Sequence, residues 1–202
     1  PNNRARLTGA SLRNRAITDT FEPGSTLKPF TIATAIEAGQ VTPQSTIQTS
    51  PGRLTIGKAT IHDAHAEGLL TVAQVIQKSS NVGAAKIALN LPAEKMWDTF
   101  NAVGLGVSPQ LGFPGEAPGK VRPYKTWKPI EQATMAYGHG ISVSLVQLAR
   151  AYSIFARDGD LVPISLVKVE TQPPAQSVIS AETARAVRAM LEGKGIEFRP
   201  NT

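Results

Sequence analysis

Ser25 and Lys28 are the two residues of this sequence whose types and spacing first suggest chemistry. The Pro-Gly pair before them predicts a turn, and apolar residues at helical spacing from Phe30 onward predict a helix that ends near Glu37. Residues i and i+3 of a helix share one face, so the lysine amine can reach the serine hydroxyl. A poorly hydrated lysine can take the proton of the serine. The pair predicts a serine nucleophile with a lysine base, at a helix start that favours an oxyanion.

The same spacing also fits a solvated serine and lysine on the surface of any helix, so other residues must distinguish an active site from an ordinary helix surface. Ser79, Ser80 and Asn81 stand between a helix predicted for residues 71–78 and an apolar helix predicted for residues 82–91. Polar residues at such a place either satisfy a junction between helices or form a corner of an active site.

A second polar stretch, made of Tyr137, Gly138, His139 and Gly140, follows another predicted helix. Two glycines around a histidine predict tightly folded backbone that lines something. Taken alone, this stretch does not say what it lines.

The remaining patterns predict helices with a few short strands. Residues 41–61 alternate Thr, Ile and Val with polar residues and turn formers, which favours short strands or a hairpin. A long apolar helix begins after a cap at Ser142 or Ser144. Residues 161–169 predict a strand, and Ser180 begins a last helix.

A metal site is a possible interpretation of His62, Asp63 and His65, but no further ligand follows at a recognisable spacing. We therefore favour a loop that forms local hydrogen bonds. The sequence has no cysteine, which excludes disulfides, thiolate metal sites and cysteine nucleophiles. We predict neither a metal nor a cofactor.

Composition excludes two classes of protein. The net charge is +6, but lysine and arginine are scattered and aromatic residues make up only 5%, so no nucleic-acid surface is predicted. No run approaches the length of apolar residues that a membrane span needs, and no signal peptide is present. The 202-residue sequence begins at Pro1 without a methionine, and we interpret it as a piece of a longer protein.

Together, the ordered motifs resemble the transpeptidase domain of a class B penicillin-binding protein, of the septal type called penicillin-binding protein 3. The stretches that carry the resemblance are residues 13–19, 22–29, 77–83, 129–134, 137–140 and 144–150. The resemblance implies the α/β fold shared by these transpeptidases and the serine β-lactamases. Residues 1–192 would be a partial transpeptidase domain, and residues 193–202 a tail that does not match.

The resemblance also implies an acyl-transfer reaction. Ser25 would attack the D-Ala-D-Ala amide of a peptidoglycan stem peptide, release D-Ala, and pass the acyl group to the amine of a second stem peptide. Lys28 would be the base, Ser79 would relay a proton to the leaving amine, and Asn81 would hold Lys28 and the substrate amide. β-Lactams would mimic the donor and leave Ser25 acylated.

Substrate-binding residues and biological context follow from the resemblance alone. Ser80 is the variable middle position of the second motif, and Tyr137, Gly138, His139 and Gly140 would lie at the cleft rim. Cell-division proteins would be partners. The location would be the periplasm, as a domain of a protein anchored in the inner membrane.

The sequence departs from the family at its third motif, K-T-G, which it does not contain. The strand that carries this motif and the first strands of the central sheet would be missing, leaving mainly the helical portion. One oxyanion-hole donor would be lost, which typically costs about 100- to 1000-fold in rate. We therefore expect a large exposed apolar face and little activity from the chain alone.

Two other functions remain open at this point. One is a penicillin-recognising relative that does not cross-link, either a class D-like β-lactamase or a β-lactam sensor. The other is a catalytically dead, truncated scaffold that only contacts division proteins.

Overall fold

The computed structural model describes residue 9 and residues 13–171 and 173–193. Except for Gly193, the predicted tail lies outside this part of the chain. The helices in it are α1 (Arg15–Thr18), α2 (Lys28–Glu37), α3 (Val72–Gln77), α4 (Asn81–Leu89), α5 (Ala93–Ala102), α6 (Pro129–Met135), α7 (Leu145–Ala156) and α8 (Ala181–Glu192). Two 3₁₀ helices, Gly24–Leu27 and Tyr124–Thr126, precede α2 and α6.

The strands are short and pair two by two, all antiparallel. The pairs are β1 (Thr20–Phe21) with β6 (Val143–Ser144), β2 (Thr46–Gln48) with β5 (Leu69–Thr71), β3 (Arg53–Ile56) with β4 (Ala59–His62), and β7 (Asp160–Leu161) with β8 (Gln176–Ser177). The hairpin predicted within residues 41–61 is confirmed by β3 and β4. No larger sheet occurs among the described residues, as expected for a chain that carries mainly the helical portion of its fold.

Helix α2 forms the centre of the core. Its residues from Lys28 to Ala35 are all buried, and it packs against α3, α4, α5 and α8. A helix that is buried on every side has to be covered by other elements rather than by solvent. It ends as predicted, after Glu37, and Gly39 with φ +66° turns the chain away.

Hydroxyl side chains cap four of the other described helices, α3, α4, α7 and α8. Thr71 and Ser144 each cap a helix, α3 and α7, and in both a glutamine side chain at the third position bonds back to the cap. Ser144, not Ser142, therefore begins the long apolar helix. Ser180 caps α8 as predicted, with its hydroxyl accepting from the Thr183 N–H.

The strand predicted for residues 161–169 is wrong. Only Asp160 and Leu161 pair, as β7, and the chain is irregular beyond them. Pro163 lies two residues after Leu161 and has no N–H to donate to a strand ladder. The aliphatic residues that suggested a strand, Leu166, Val167 and Val169, are exposed.

The expected apolar face along the helices is not seen in the described part of the chain. Large exposed apolar side chains lie in loops, in strands β1 and β5 and in the first turn of α7, rather than along α2 or α8. The reason is that the helices cover one another, and α8 buries Val187, Met190 and Leu191 against its neighbours. Within the same residues, no helix is long and apolar enough to cross a membrane.

Candidate active site

The turn Gly24–Leu27 presents Ser25 to solvent directly before α2. Gly24 has φ +59°, a conformation that glycine adopts readily. Ser25 itself is exposed, whereas Lys28, one 3₁₀ turn later, is buried with 1% of its surface accessible. The Lys28 Nζ lies 3.0 Å from the Ser25 Oγ. The local sequence thus places an accessible hydroxyl against an enclosed amine.

Ser79 approaches the same amine from the junction between α3 and α4. Its Oγ lies 3.0 Å from the Lys28 Nζ, and its carbonyl oxygen accepts a 2.5 Å hydrogen bond from that nitrogen. Ser79 has φ +58°, a left-handed conformation that is unfavourable for serine and that is found often at functional sites. The two serines and the lysine that the sequence singled out therefore meet at one point.

Asn81 begins α4, two residues after Ser79. Its side-chain Nδ2 donates to the His62 carbonyl at 3.0 Å, which ties this end of α4 to strand β4. The amide of Asn81 is thereby fixed beside the Ser79 corner.

Ser80 has a structural place. It is buried, its hydroxyl accepts the Gly83 N–H at 2.8 Å as the cap of α4, and it donates to the Asp63 carboxylate at 2.7 Å. The Ser79 hydroxyl lies next to Lys28, whereas the Ser80 hydroxyl points towards the first turn of α4. A role for Ser80 in substrate binding stays a prediction.

Asp63 is held by α4 and not by its own loop. Besides Ser80, the Val82 N–H donates to it at 2.9 Å. The prediction of local hydrogen bonds is therefore wrong for Asp63, because its side-chain partners lie 17 and 19 residues further along the chain. The described residues contain no group of three or more His, Cys, Asp or Glu side chains that could hold a metal ion.

The stretch from Tyr137 to Gly140 packs against the turn that presents Ser25. The Gly24 N–H donates to the Gly138 carbonyl at 3.3 Å. A Cβ on Gly138 would lie 2.7 Å from the Gly24 carbonyl carbon and closer still to its oxygen and nitrogen, so only glycine fits. Tyr137 is buried and His139 exposed. Contact of this stretch with substrate remains a prediction.

Glu22 is a supporting residue to which sequence reasoning gave no role. Its carboxylate accepts the Gly140 N–H at 2.9 Å and lies 3.1 Å from the His139 Nδ1. The Gly140 N–H, and after it His139, holds the pKa of the Glu22 carboxyl below its ordinary value. The only signal in the sequence is an acidic residue directly before the Pro-Gly turn.

A cavity of about 130 Å³ opens beside the serine–lysine pair. It is lined by Ser25, Thr26, Lys28, Pro29, Ile76, Ser79, Tyr152 and Leu191. Larger grooves of about 310 and 340 Å³ lie elsewhere, beside Glu37 and beside Arg150, and neither lining includes a serine next to a lysine. The serine–lysine pair therefore makes the cavity of about 130 Å³ the candidate site.

Comparison with known proteins agrees with this fold. Residues 1–196 match the family described as the penicillin binding protein transpeptidase domain. The chain belongs to that family. Over 95% of its length it is 44% identical to a probable peptidoglycan D,D-transpeptidase PenA of Neisseria flavescens and 40% identical to the peptidoglycan D,D-transpeptidase FtsI of Escherichia coli. These alignments cover 47% and 32% of the two relatives, so the chain spans less than half the length of each.

Solved structures give the same result. The transpeptidase domain of Burkholderia pseudomallei penicillin-binding protein 3 superposes with a TM-score of 0.87 and 50% sequence identity, over 90% of this chain and 56% of that chain. A protein described as a peptidoglycan glycosyltransferase from Burkholderia ambifaria superposes with a TM-score of 0.88 and 48% identity, over 91% of this chain and 59% of that chain. The predicted penicillin-binding-protein transpeptidase fold is confirmed.

Proposed function

We propose that this chain is the acyl-transfer portion of a peptidoglycan D,D-transpeptidase that uses Ser25 as nucleophile. The observation that supports this most directly is the buried Lys28 Nζ, which lies 3.0 Å from the hydroxyl oxygens of both Ser25 and Ser79. Burial disfavours the charged form of an amine, so the site favours a lysine able to accept a proton.

The first half-reaction forms an ester. The Ser25 Oγ attacks the carbonyl carbon of the penultimate D-Ala of a stem peptide, and its proton moves to the Lys28 Nζ. The negative charge forms on the carbonyl oxygen near the start of the 3₁₀ turn, where the Ser25 N–H belongs to the first helical positions and has no acceptor within the helix. The C–N bond then breaks, and terminal D-Ala leaves after its nitrogen receives a proton through the Ser79 Oγ.

The second half-reaction forms the cross-link. The amine of a neighbouring stem peptide attacks the ester, gives a proton to the same Ser79–Lys28 pair, and forms a new amide as the Ser25 oxygen recovers its proton. We propose that Asn81, whose side chain donates to the His62 carbonyl at the start of α4, holds the substrate amide. Tyr137, Gly138, His139 and Gly140 are proposed as the adjoining rim, together with Ser80 at the second motif.

The inhibitors, the partners and the cellular location are also proposals. They are supported by the family resemblance and not by any described side chain. We propose that β-lactams acylate Ser25. We also propose that the parent protein acts at the division septum with other division proteins, is anchored in the inner membrane, and holds this domain in the periplasm.

Intact-mass spectrometry with and without a penicillin tests the function. A stable adduct of one penicillin on the 202-residue chain, absent from Ser25→Ala, is the expected result. Rapid hydrolysis of the penicillin with no lasting adduct would instead identify a β-lactamase. A folded chain that neither binds nor hydrolyses it would leave the scaffold function.

A further inference from the structure

The carbonyl of Thr26, next to the proposed nucleophile, lacks the backbone N–H donor that a 3₁₀ helix normally provides. A 3₁₀ turn pairs each carbonyl with the N–H three residues later, and three residues after Thr26 comes Pro29, which has no N–H. The Tyr152 hydroxyl of α7 donates to this carbonyl at 2.7 Å. A residue 126 positions away in sequence thus replaces the donor that Pro29 lacks.

We propose that Tyr152 is a positioning residue for the Ser25 nucleophile, acting by holding the Thr26 carbonyl. The inference rests on the proposed function and extends it to a residue outside the family motifs. The peptide after Thr26 links the exposed serine to the buried start of α2, so its orientation sets where the Ser25 Oγ stands relative to the Lys28 Nζ. Small misplacements of reacting groups lower rates strongly.

The ring of Tyr152 is well anchored for this purpose. It meets Phe30 of α2 edge-on, with 5.2 Å between ring centroids, and Phe155 of α7 at 5.8 Å. Edge-on pairs of this kind fix ring orientation and add stability beyond their buried area. The hydroxyl therefore has a defined direction, and the ring forms part of the wall of the cavity beside Ser25.

The hydroxyl also stays a donor under all ordinary conditions. Burial raises the pKa of Tyr152 to about 12. Its proton is therefore retained across the pH range in which the protein would work, and the bond to the Thr26 carbonyl persists. A proton-transfer role would require the opposite arrangement, with a pKa near the working pH.

Tyr152→Phe tests the proposal because it removes the oxygen and keeps the ring. Tyr124→Phe is the matched control, since it loses one hydrogen bond of similar length, 2.8 Å to Glu94, at the distant start of α5. The acylation rate constant and the dissociation constant for a fluorescent penicillin are measured separately by stopped flow, well below both melting temperatures. We expect Tyr152→Phe to lower the rate constant by about three- to tenfold, as loss of one neutral hydrogen bond allows, with unchanged dissociation constant.

The control should leave both constants at their wild-type values. An unchanged rate constant in Tyr152→Phe would overturn the proposal. So would an equal loss in both variants, because that would indicate only a general effect of removing a hydrogen bond.

Hydrogen exchange provides a test that does not need catalysis. The Lys28 N–H donates to the Ser25 carbonyl, and we expect its exchange to become about tenfold faster in Tyr152→Phe and to be unaffected in Tyr124→Phe. If the wild-type chain takes up no penicillin, the proposed function fails while this measurement still decides the inference. Unchanged protection of the Lys28 amide would contradict it.

Discussion

The two serines that meet at Lys28 are placed in different ways. The Ser25 turn is held from a distance: Gly138 accepts from Gly24, Glu22 accepts from Gly140, and the Tyr152 hydroxyl reaches Thr26. Apart from its bonds to Lys28, the Ser79 corner is held from nearer positions in the sequence: the Ser79 N–H donates to the Ile76 carbonyl, and Asp63 accepts from Ser80 and from the Val82 N–H. It sits between two short helices and turns through a left-handed residue.

The difference teaches which parts of the molecule each serine depends on. The Ser25 turn depends on the loop after α6 and on α7, so it is in place only when the tertiary fold is complete. The Ser79 corner depends on the cap of α4, where Ser80 and Asp63 fix the chain immediately after it. Variants can separate these two dependences, and the following are ordered from the largest expected effect to the smallest.

Replacing the shared lysine should remove the chemistry from both serines at once. We expect Lys28→Met to reduce penicillin acylation by about 1000-fold, the range typical for loss of a positioned base. Methionine fills a similar volume without a charge, so the free energy of unfolding should not fall. Stopped-flow acylation and urea denaturation measure the two quantities. Retained acylation in a folded variant would eliminate Lys28 as the base.

Gly138→Ala should break the support of the Ser25 turn. The new Cβ overlaps the backbone of Gly24, and we expect the free energy of unfolding to fall by about 3 kcal/mol. Gly39→Ala is the control: φ is also positive there, +66°, but nothing lies within 4 Å of the added carbon. That change should cost only about 1 kcal/mol of backbone strain. Equal losses in urea denaturation would show that the contact with Gly24 does not matter.

Ser80→Ala should disturb the Ser79 corner through the helix cap. Loss of a capping hydroxyl costs about 1 kcal/mol, and we expect acylation to fall by about fivefold, which corresponds to a similar energy. Ser180→Ala removes the cap of α8 instead. It should lower the free energy of unfolding by a similar amount and leave the acylation rate at the wild-type value. If the two variants acylate equally fast, the cap of α4 has no special bearing on Ser79.

Glu22→Gln should have the smallest effect, and one that depends on pH. Because the folded-state pKa of Glu22 is lowered, its stabilising contribution is complete above its ordinary pKa and is lost as the pH falls through the lowered value. The wild type should therefore exceed the variant in melting temperature at neutral pH, and the difference should vanish in acid. A difference that is constant with pH would mean that the Glu22 charge makes no contribution.

Sequence reasoning succeeded where the determinants are local. The Ser25–Lys28 contact follows from helical spacing, and the helix predicted from residue 71 is confirmed by α3, which Thr71 caps. Family motifs added the approach of Ser79, which spacing alone left open between a junction and an active-site corner.

The rest depends on contacts between distant residues. Glu22 bonds to a residue 118 positions away and Tyr152 to one 126 positions away, and no periodicity encodes either contact. The substrate-binding role of Ser80 stays a prediction from the motif, while the structure adds that its hydroxyl caps α4. The strand predicted for residues 161–169 failed because aliphatic content was weighed above the Pro163 that interrupts it.

The enclosure of Lys28 has a consequence for the fate of the proton that Ser25 gives up. An exposed amine would exchange that proton with bulk water before the C–N bond of the donor breaks. With 1% of its surface accessible, Lys28 is screened from such leakage. In the proposed reaction the proton is retained next to Ser79 until the leaving D-Ala nitrogen collects it, and Lys28 can then accept the proton that the entering amine gives up in the second half of the reaction.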